Sequence, residues 1–393
     1  MTTDAVLTQS GGLDFDLTDS QKAVQELARN FAEKEMRPVV MKYDESQEFP
    51  FEIVEKLSAL GFMGIIWPEE LGGAGLTDLE AIVIIEEIAK VDPSVALTVA
   101  SHNSLCTGHI MAFASEDQKR RYVPDLATGK KLGAWGLTEP GSGSDAGGMK
   151  TFGKRDGSDW IINGSKTFIT QGSVGSTYVI MAMTDRERGK GSISSFILEK
   201  GMKGFTIGKK ENKLGMRCSD TATLIFDNVR VPAENLIRNV GDGFKQALHV
   251  LDGGRVGIAA LSVGIAQGAL DASIKYGKER VQFGRSIAEF QGIQWKLADM
   301  ATEINAARLL TQRAAWMKTR GMDINLSAAQ AKYFASEAAV RATNEAVQIH
   351  GGYGFIKEFP VEKLYRDVKL MTIGEGTSEV QKMVIARNLL SVQ

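Results

Sequence analysis

Two kinds of reactive side chain are scarce in this sequence, because its 393 residues include only two cysteines and four histidines. Cys106 and Cys218 form no closely spaced pair, which argues against a disulfide framework and against a cysteine-based metal site. Neither metal-ligand spacing nor the partners of a catalytic triad accompany the histidines, so we interpret each as structural; they are His102, His109, His249 and His350. The sequence therefore predicts a protein of a reducing compartment that holds no metal.

The sequence also lacks an excess of charge of either sign, since 46 Lys and Arg balance 48 Asp and Glu. This balance gives no overall attraction for nucleic acid or for an anionic membrane. No uninterrupted apolar run reaches the roughly 18 residues that a membrane span requires. The first sixteen residues carry Asp4, Asp14 and Asp16 but no Lys or Arg, unlike a signal or transit peptide. With 43% hydrophobic residues, the chain is expected to form a packed cytoplasmic protein.

The first third of the chain has helical patterns. Thr18 and Gln21 have the spacing of a capping box, and apolar residues then recur on one helical face. Further helices are predicted over residues 78–92 and 94–113. These segments predict a helical N-terminal domain, for which we set the bounds 1–130.

The middle of the chain favours β-structure. The runs STYVIMAMT, SISSFILEK and TATLIFDNVRVP are strand candidates. Asn163-Gly164 lies between two β-like runs and predicts a hairpin turn. We expect a small central β-barrel or β-sandwich domain over residues 131–240.

Long helical runs return from Gly241 onward, and glycines such as Gly321 stand where helices are expected to stop. Four helices of this kind predict a C-terminal helical bundle over residues 241–393. The fold class is therefore α+β and multidomain, with helices, then β-structure, then a four-helix bundle.

Two motifs can carry chemistry, but each also has an ordinary explanation. Residues 135–148, WGLTEPGSGSDAGG, could present N–H groups and hydroxyls to a phosphate or a ring edge, or could form a simple loop. Their spacing is neither that of a P-loop nor that of a Rossmann fingerprint. Glu375 stands between two glycines before the last predicted helix, where Thr377 or Ser378 could simply cap the helix after a turn.

Five motifs that occur together give the chain a resemblance to the acyl-CoA dehydrogenase family of flavoenzymes, and most closely to its short-chain (butyryl-CoA) members. The similarity covers about residues 15 to 390. It implies the same order of domains, usually within a homotetramer. The motifs are TEPGSGSD (138–145), RVQFGRSIAEFQ (280–291), QIHGGYGF (348–355), YRD (365–367) and GEGTSE (374–379).

The resemblance implies that Glu375 is a catalytic base. It would remove the α-proton of an acyl-CoA thioester while a hydride leaves the β-carbon for flavin N5 of FAD, giving a trans-2-enoyl-CoA. Its own N–H would bond the thioester carbonyl. One branch of the family carries its base just before the arginine of the first C-terminal helix, and here that position is Gly254. The family pattern therefore assigns the role to Glu375 alone.

The resemblance also implies the residues that bind FAD and substrate. Those expected around the flavin of their own subunit are Trp135, Leu137, Thr138, Gly143, Ser144, Phe168, Ile169, Thr170, Thr377, Ser378 and Glu379. Those expected to complete the FAD site of a neighbouring subunit are Arg280, Phe283, Gln291, Gln348, Gly351 and Gly352. Those expected to contact the substrate are Ser144, Asp252, Arg255 and Gly376.

Two positions depart from the family pattern. Many relatives have Trp where this chain has Phe168, and the smaller ring changes the surface offered to the flavin. Many have Tyr where this chain has Gly374, whose lack of a side chain could open space near the base.

The expected partners are an acyl-CoA, electron-transferring flavoprotein and further copies of the chain. Ala96 stands where glutaryl-CoA enzymes place an arginine, and with Gly254 this favours a short straight-chain substrate. The alternatives are an oxygen-reacting acyl-CoA oxidase, a branched-chain or glutaryl-type dehydrogenase, and a flavin-free scaffold or DNA-binding member.

Overall fold

The computed structural model describes residues 16–390. The first sixteen residues, whose acidic side chains argued against a targeting segment, lie outside this range except for Asp16. Seven α-helices of the described chain precede the first strand, and π-helical turns at Ala32–Met36 and His102–Thr107 accompany them. The helices are α1 (Asp19–Phe31), α2 (Val40–Ser46), α3 (Phe51–Ala59), α4 (Asp78–Ala89), α5 (Pro93–Ser101), α6 (Gly108–Phe113) and α7 (Glu116–Ala127).

The predicted start of the first helix is confirmed. The Thr18 hydroxyl accepts a hydrogen bond from the Gln21 N–H at 3.3 Å, and the Gln21 amide oxygen accepts one from the Thr18 N–H at 3.0 Å. Each bond satisfies an N–H group that a helix end leaves without a partner. The helix predicted over 94–113 is present as α5, the π-helical turn and α6.

The middle of the chain forms a seven-stranded mixed sheet in the described residues, in the order β1-β4-β2-β3-β7-β6 with β5 on the other edge of β4. The β1 and β4 strands pair in parallel, while β4–β5, β2–β3 and β3–β7 are antiparallel. The strands are β1 (Gly133–Gly136), β2 (Phe152–Asp156), β3 (Asp159–Thr170), β4 (Thr177–Met183), β5 (Ile193–Glu199), β6 (Phe205–Lys210) and β7 (Thr221–Val231).

The hairpin predicted at Asn163-Gly164 is wrong. These residues lie inside the continuous strand β3, where the register against β7 shifts, and β2 turns into β3 near Gly157 instead. Gly164 has a φ of +139°, and a β-carbon there would lie 2.7 Å from the Thr151 Cα. The glycine is therefore required by a β-bulge and a close neighbour, not by a turn.

The C-terminal region is built from α8 (Gly243–Glu279), α9 (Gln291–Thr319), α10 (Asn325–His350) and α12 (Ser378–Leu390), with α11 (Val361–Asp367) between the last two. The two-residue strands β8 (Val281–Gln282) and β9 (Arg285–Ser286) connect α8 to α9. Helix α10 contacts α8, α9 and α12, so it lies at the centre of the group. The order of helices, sheet and helices confirms the predicted fold class.

Helix α8 is unusually long and apolar. Among the described residues it is the one helix with the length and composition to cross a membrane, but 72% of its apolar window is buried within the protein. Gly264 and Gly268 allow α8 to lie close to α4, since β-carbons at these positions would meet the Glu86 and Lys90 carbonyl oxygens at 2.4 and 2.5 Å. Helix α8 is therefore the core helix between the N-terminal helices and the bundle.

Candidate active site

The turn that carries Glu375 has an unusual backbone. Glu375 has a φ of +52° and Gly376 a φ of +94°, which places both in the left-handed region. A residue with a side chain adopts this region at an energetic cost, so the surroundings must hold it there. The Thr377 hydroxyl accepts a hydrogen bond from the Val380 N–H at 3.3 Å and caps α12. The predicted turn and cap are present, and they leave the Glu375 side chain available for another role.

The Glu375 carboxylate lies against helix α8. A β-carbon built on Gly254 would come within 2.0 Å of the Glu375 Oε2 and 3.3 Å of the Leu105 Cδ2. The absence of a side chain at Gly254 thus creates the space that the carboxylate fills.

The carboxylate of Glu375 is buried in a way that favours a proton acceptor. Among the described residues its Oε2 is buried without a hydrogen-bond partner. Burial raises the pKa of Glu375 to about 7, although the positive charges of Lys332 and Arg255 act in the opposite direction. Desolvation disfavours the charged form of a carboxyl group and so increases its affinity for a proton. Glu375 therefore has the basicity expected of a general base near neutral pH.

Asp252 and Arg255 form an ion pair on the same helix as Gly254. The Arg255 Nη1 lies 2.5 Å from the Asp252 Oδ1, and the Asn325 amide donates to the same carboxylate at 3.0 and 3.1 Å. Burial raises the pKa of Asp252 despite the neighbouring Arg255 charge. The structure thus brings these two predicted substrate residues together beside the Glu375 turn.

The glycine- and serine-rich loop is fixed at its base. The buried Glu139 carboxylate accepts hydrogen bonds from the Lys166 Nζ at 2.7 Å and the Thr151 N–H at 2.9 Å. Lys166, which is fully buried, also donates to the Leu137 carbonyl at 3.0 Å. The Thr138 carbonyl accepts from the Thr167 N–H at 2.9 Å, which ties the loop to β3.

The tip of this loop is open. A β-carbon at Gly143 would meet no atom within 4 Å, and Ser144 is exposed. The predicted flavin residues are therefore divided between a rigid base, with Trp135 and Leu137 buried, and an accessible tip.

Phe168 is the most exposed of the predicted flavin contacts on β3. Its side chain is 64% exposed, whereas the next residue, Ile169, is buried. Phe168 also has a φ of +57° and lies where the β3–β7 register shifts, so the backbone irregularity turns its ring outward. Thr170, the other predicted flavin contact on this strand, is the last residue of β3. A large apolar ring held outward by a strained backbone, beside an open loop, fits the binding of a planar cofactor.

His109 on α6 contacts the Trp135 side chain on β1, a contact that the sequence did not predict. The Trp135 Nε1–H donates to the His109 Nδ1 at 3.1 Å, while the His109 Nε2 lies 3.1 Å from the Gln246 Oε1. Burial lowers the pKa of His109 to about 4, which keeps the ring neutral and able to accept the indole hydrogen bond. A lone histidine in a helical run carries no spacing signal from which this role could be found.

Three of the predicted neighbour-site residues line a separate cavity of about 510 Å³. Arg280, Gly351 and Gly352 lie in its wall, and the Arg280 guanidinium is 5.3 Å from the Tyr353 ring centre. The other three are exposed but do not line it; they are Phe283, Gln291 and Gln348. At 1.5 Å per residue along α8, Gly254 and Arg280 are about 39 Å apart. The structure therefore places the predicted cofactor residues in two distant groups.

Three family models match consecutive parts of the chain. They are the acyl-CoA dehydrogenase N-terminal domain over residues 18–130, the middle domain over 134–229 and the C-terminal domain over 241–390. A short-chain-specific acyl-CoA dehydrogenase of Clostridium acetobutylicum is 48% identical over 374 residues, which are 95% of this chain and 99% of the relative.

Solved structures with the same fold agree with these matches. Butyryl-CoA dehydrogenase from Megasphaera elsdenii superimposes with a TM-score of 0.95 at 45% identity, covering 96% of this chain and 100% of that one. A chain in a structure of the electron-transferring flavoprotein of Acidaminococcus fermentans also gives a TM-score of 0.95, at 47% identity and with the same coverage.

Proposed function

Because the chain belongs to the acyl-CoA dehydrogenase family, we propose that Glu375 is the base that removes the α-proton of its acyl-CoA substrate. The protein is an FAD-dependent oxidoreductase that acts on a CH–CH bond. When bound, FAD supplies the acceptor for the hydride that leaves the β-carbon. The observation that carries the assignment is the buried Glu375 carboxylate, whose Oε2 lies in the space left by Gly254.

The chemical difficulty is the weak acidity of the α C–H bond beside a thioester. Exclusion of water by the bound substrate keeps the pKa of Glu375 near its raised value of about 7 and so preserves its basicity. We assign the Glu375 N–H to the thioester carbonyl, where a donor stabilises the enolate that forms as the proton leaves. Gly376, which follows this donor, is assigned to the substrate as well.

FAD is proposed to bind along the loop at 135–148 and the end of β3, with Phe168 and Thr170 against the ring. Ser144 at the exposed tip is assigned to the CoA portion of the substrate, and the Asp252–Arg255 pair to the same side. Thr377, Ser378 and Glu379 continue the cofactor site at the start of α12. The open tip and rigid base of the loop support this assignment.

A homotetramer in which neighbours share FAD is proposed for the second group of residues. Arg280 lies about 39 Å along α8 from Gly254, which is further than one dinucleotide reaches, and Gly351 lines the same cavity as Arg280. Phe283 and Phe355 near this group are 94% and 87% exposed, as expected of side chains that a second copy covers. Electron-transferring flavoprotein is the proposed acceptor of the electrons, and the cytoplasm the proposed location.

A short straight-chain acyl-CoA is the proposed substrate. Two relatives that match nearly the whole chain are a short-chain-specific acyl-CoA dehydrogenase and a butyryl-CoA dehydrogenase. Ala96 on α5 is fully buried and provides no cation for a distal carboxylate, whose burial without a partner would cost several kcal/mol. The atoms nearest to a β-carbon at Gly374 would belong to Leu370, at 3.5 Å or more, so this position leaves room near the base.

The test is anaerobic mixing of the yellow holoenzyme with acyl-CoAs of four to sixteen carbons, together with isobutyryl-CoA and glutaryl-CoA. We expect rapid flavin bleaching, slow reoxidation in air and the highest kcat/KM at four to six carbons. Fast reoxidation by oxygen would identify an oxidase. A maximum at eight carbons or more, or on a branched or dicarboxylic ester, would overturn the substrate assignment.

A further inference from the structure

Lys332 on α10 is a fully buried lysine with no part in the reaction described above. Its Nζ donates a hydrogen bond to the carbonyl oxygen of Gly376 at 2.7 Å. Gly376 directly follows Glu375, so the ammonium is bonded to the turn that carries the base. A buried ammonium is unfavourable unless polar groups or an opposite charge compensate for the lost water. The contact is therefore a candidate for a functional role.

The Gly376 carbonyl is held from two helices. Besides Lys332 on α10, the buried Gln381 on α12 donates to it from Nε2 at 2.9 Å and approaches the Glu375 carbonyl at 3.3 Å. Since Glu375 and Gly376 both have positive φ, these donors stabilise a turn that the chain does not favour by itself. The direction of the Glu375 side chain depends on this turn.

A neutral donor would be enough to hold a carbonyl, so the charge of Lys332 needs another reason. Arg255 is directly paired with Asp252, whereas Lys332 donates to a neutral oxygen. The charge of Lys332 therefore acts mainly on the Glu375 carboxylate, whose Oε2 has no hydrogen-bond partner in residues 16–390.

Two further carboxylates face this lysine. Glu337 on α10 accepts a hydrogen bond from the Ser378 hydroxyl at 2.6 Å, and Glu379 on α12 is exposed to solvent. A solvated carboxylate interacts weakly with a buried cation, because water screens the interaction. Glu375 remains the buried carboxylate with the most to gain from the Lys332 charge.

We propose that Lys332 is the positioning residue of the base: it holds the Gly376 carbonyl and places a positive charge that faces the Glu375 carboxylate. This inference rests on the proposed role of Glu375. The hydrogen bond fixes the turn, and the charge lowers the proton affinity of Glu375, so that a larger share of the base is free to accept the α-proton near neutral pH. Burial alone would raise the proton affinity of Glu375 until much of the enzyme carried a protonated, inactive base.

The experiment compares the pH dependence of kcat and kcat/KM for the holoenzyme with that of Lys332→Met, Lys332→Gln and Lys332→Arg. Lys332→Gln keeps a donor for the Gly376 carbonyl but removes the charge, so it tests the effect of the charge even if Lys332→Met does not fold. We expect both neutral variants to move the acid limb of the pH profile upward by about one pH unit or more, with about fivefold or greater loss near pH 7 and recovery at high pH. Lys332→Arg keeps the positive charge, so its acid limb is expected to lie near that of the parent.

Two controls separate charge from structure. Gln381→Leu removes the neutral donor to the same carbonyl, and we expect a lower kcat with the acid limb of the pH profile at the parental pH. Lys363→Met removes a buried lysine that bonds Asp92 and Asp367 at 2.9 and 2.6 Å, and we expect a lower Tm with an unmoved limb.

An infrared titration provides a readout besides turnover. The Glu375 carboxyl band is identified by its loss in Glu375→Gln, and its titration is expected to move upward in Lys332→Gln. Unchanged pH limbs and an unchanged carboxyl titration in both neutral variants would overturn the inference. Near-parental turnover by Glu375→Gln would instead overturn the base assignment, whatever the Lys332 variants show.

Discussion

The carboxylate of Glu375 occupies the volume that a side chain on Gly254 would need, because a β-carbon there would lie 2.0 Å from its Oε2. These are the two positions from which members of the family are expected to supply the base. Their contact shows why a carboxylate at one position requires a small residue at the other. In this chain helix α8 has a glycine at its position, and the turn before α12 carries the proposed base.

Gly254→Ala is expected to lower kcat at least tenfold while FAD stays bound, since the methyl group displaces the Glu375 carboxylate. Gly253→Ala is the matched control on the same helix, because its β-carbon would meet only the flexible end of Lys318 at 3.3 Å. Ala also suits a helix interior better than Gly by up to about 1 kcal/mol. Steady-state kinetics and flavin absorbance test the pair, and equal kcat values would contradict the contact.

Glu375→Gln is expected to keep its FAD and lose nearly all turnover. Gln has almost the same shape but cannot accept the α-proton, so the loss reports basicity and not folding. Glu55→Gln changes an exposed carboxylate on α3, outside the proposed sites, and is expected to retain the parental activity. Stopped-flow bleaching by substrate measures the step directly. Bleaching of the Glu375→Gln flavin at the parental rate would show that another group is the base.

The same Glu375→Gln variant is expected to become more stable than the parent as pH rises, because the parent loses stability. The pKa of Glu375 is raised from 4.5 to about 7 in the folded protein, so between these values the unfolded chain binds fewer protons than the folded one. Stability that depends on this group is therefore present below pH 4.5 and is lost as pH rises through 7.

Thermal unfolding of the holoenzymes from pH 4 to pH 9 measures this effect. The Tm of Glu375→Gln should match that of the parent at the acid end and exceed it increasingly up to about pH 7. A Tm difference that is constant across the range would show that the carboxyl titrates normally in the fold.

Arg280→Ala is expected to weaken FAD retention and the oligomer together. Arg280 lines the cavity with Gly351 and Gly352 beside exposed aromatic side chains, where we propose that a neighbour's cofactor binds. Dialysis against FAD-free buffer followed by gel filtration tests it. Arg155→Ala is the control, because Arg155 also lies over an aromatic ring, that of Trp160, but on β2. Unchanged flavin content and size for Arg280→Ala would contradict a shared site.

Local signals in the sequence predicted the helix ends well, because the groups that start or stop a helix lie within a few residues of each other in the chain. The Thr18–Gln21 capping box and the Gly321 stop both depend on neighbours in the chain, and both are present. The Asn163-Gly164 prediction failed because the glycine is required by a contact with Thr151, thirteen residues earlier and just before β2. A short-range rule cannot distinguish a hairpin glycine from a bulge glycine when the deciding neighbour is remote.

Family motifs point to Glu375 as the candidate base, but they do not point to the residues that contact its turn or the Trp135 ring. Lys332 and His109 lie in helical runs, where a lone lysine or histidine is usually exposed or structural. The proposed role of Lys332 and the contact of His109 depend on burial and on hydrogen bonds with Gly376 and Trp135, which only the folded chain creates. Groups that act through another residue leave no spacing pattern of their own, so the sequence could not reveal them.

Helix α8 also constrains how the chain can change in length. It carries Gly254 toward one end and delivers Arg280 at the other, without an intervening break in the helix. One inserted residue would rotate everything beyond it by about 100° and advance it by about 1.5 Å. Insertions or deletions between these positions would therefore turn Arg280 away from its cavity while Glu375 stayed in place. The number of residues between these positions is therefore fixed by the rotation that each residue adds to the helix.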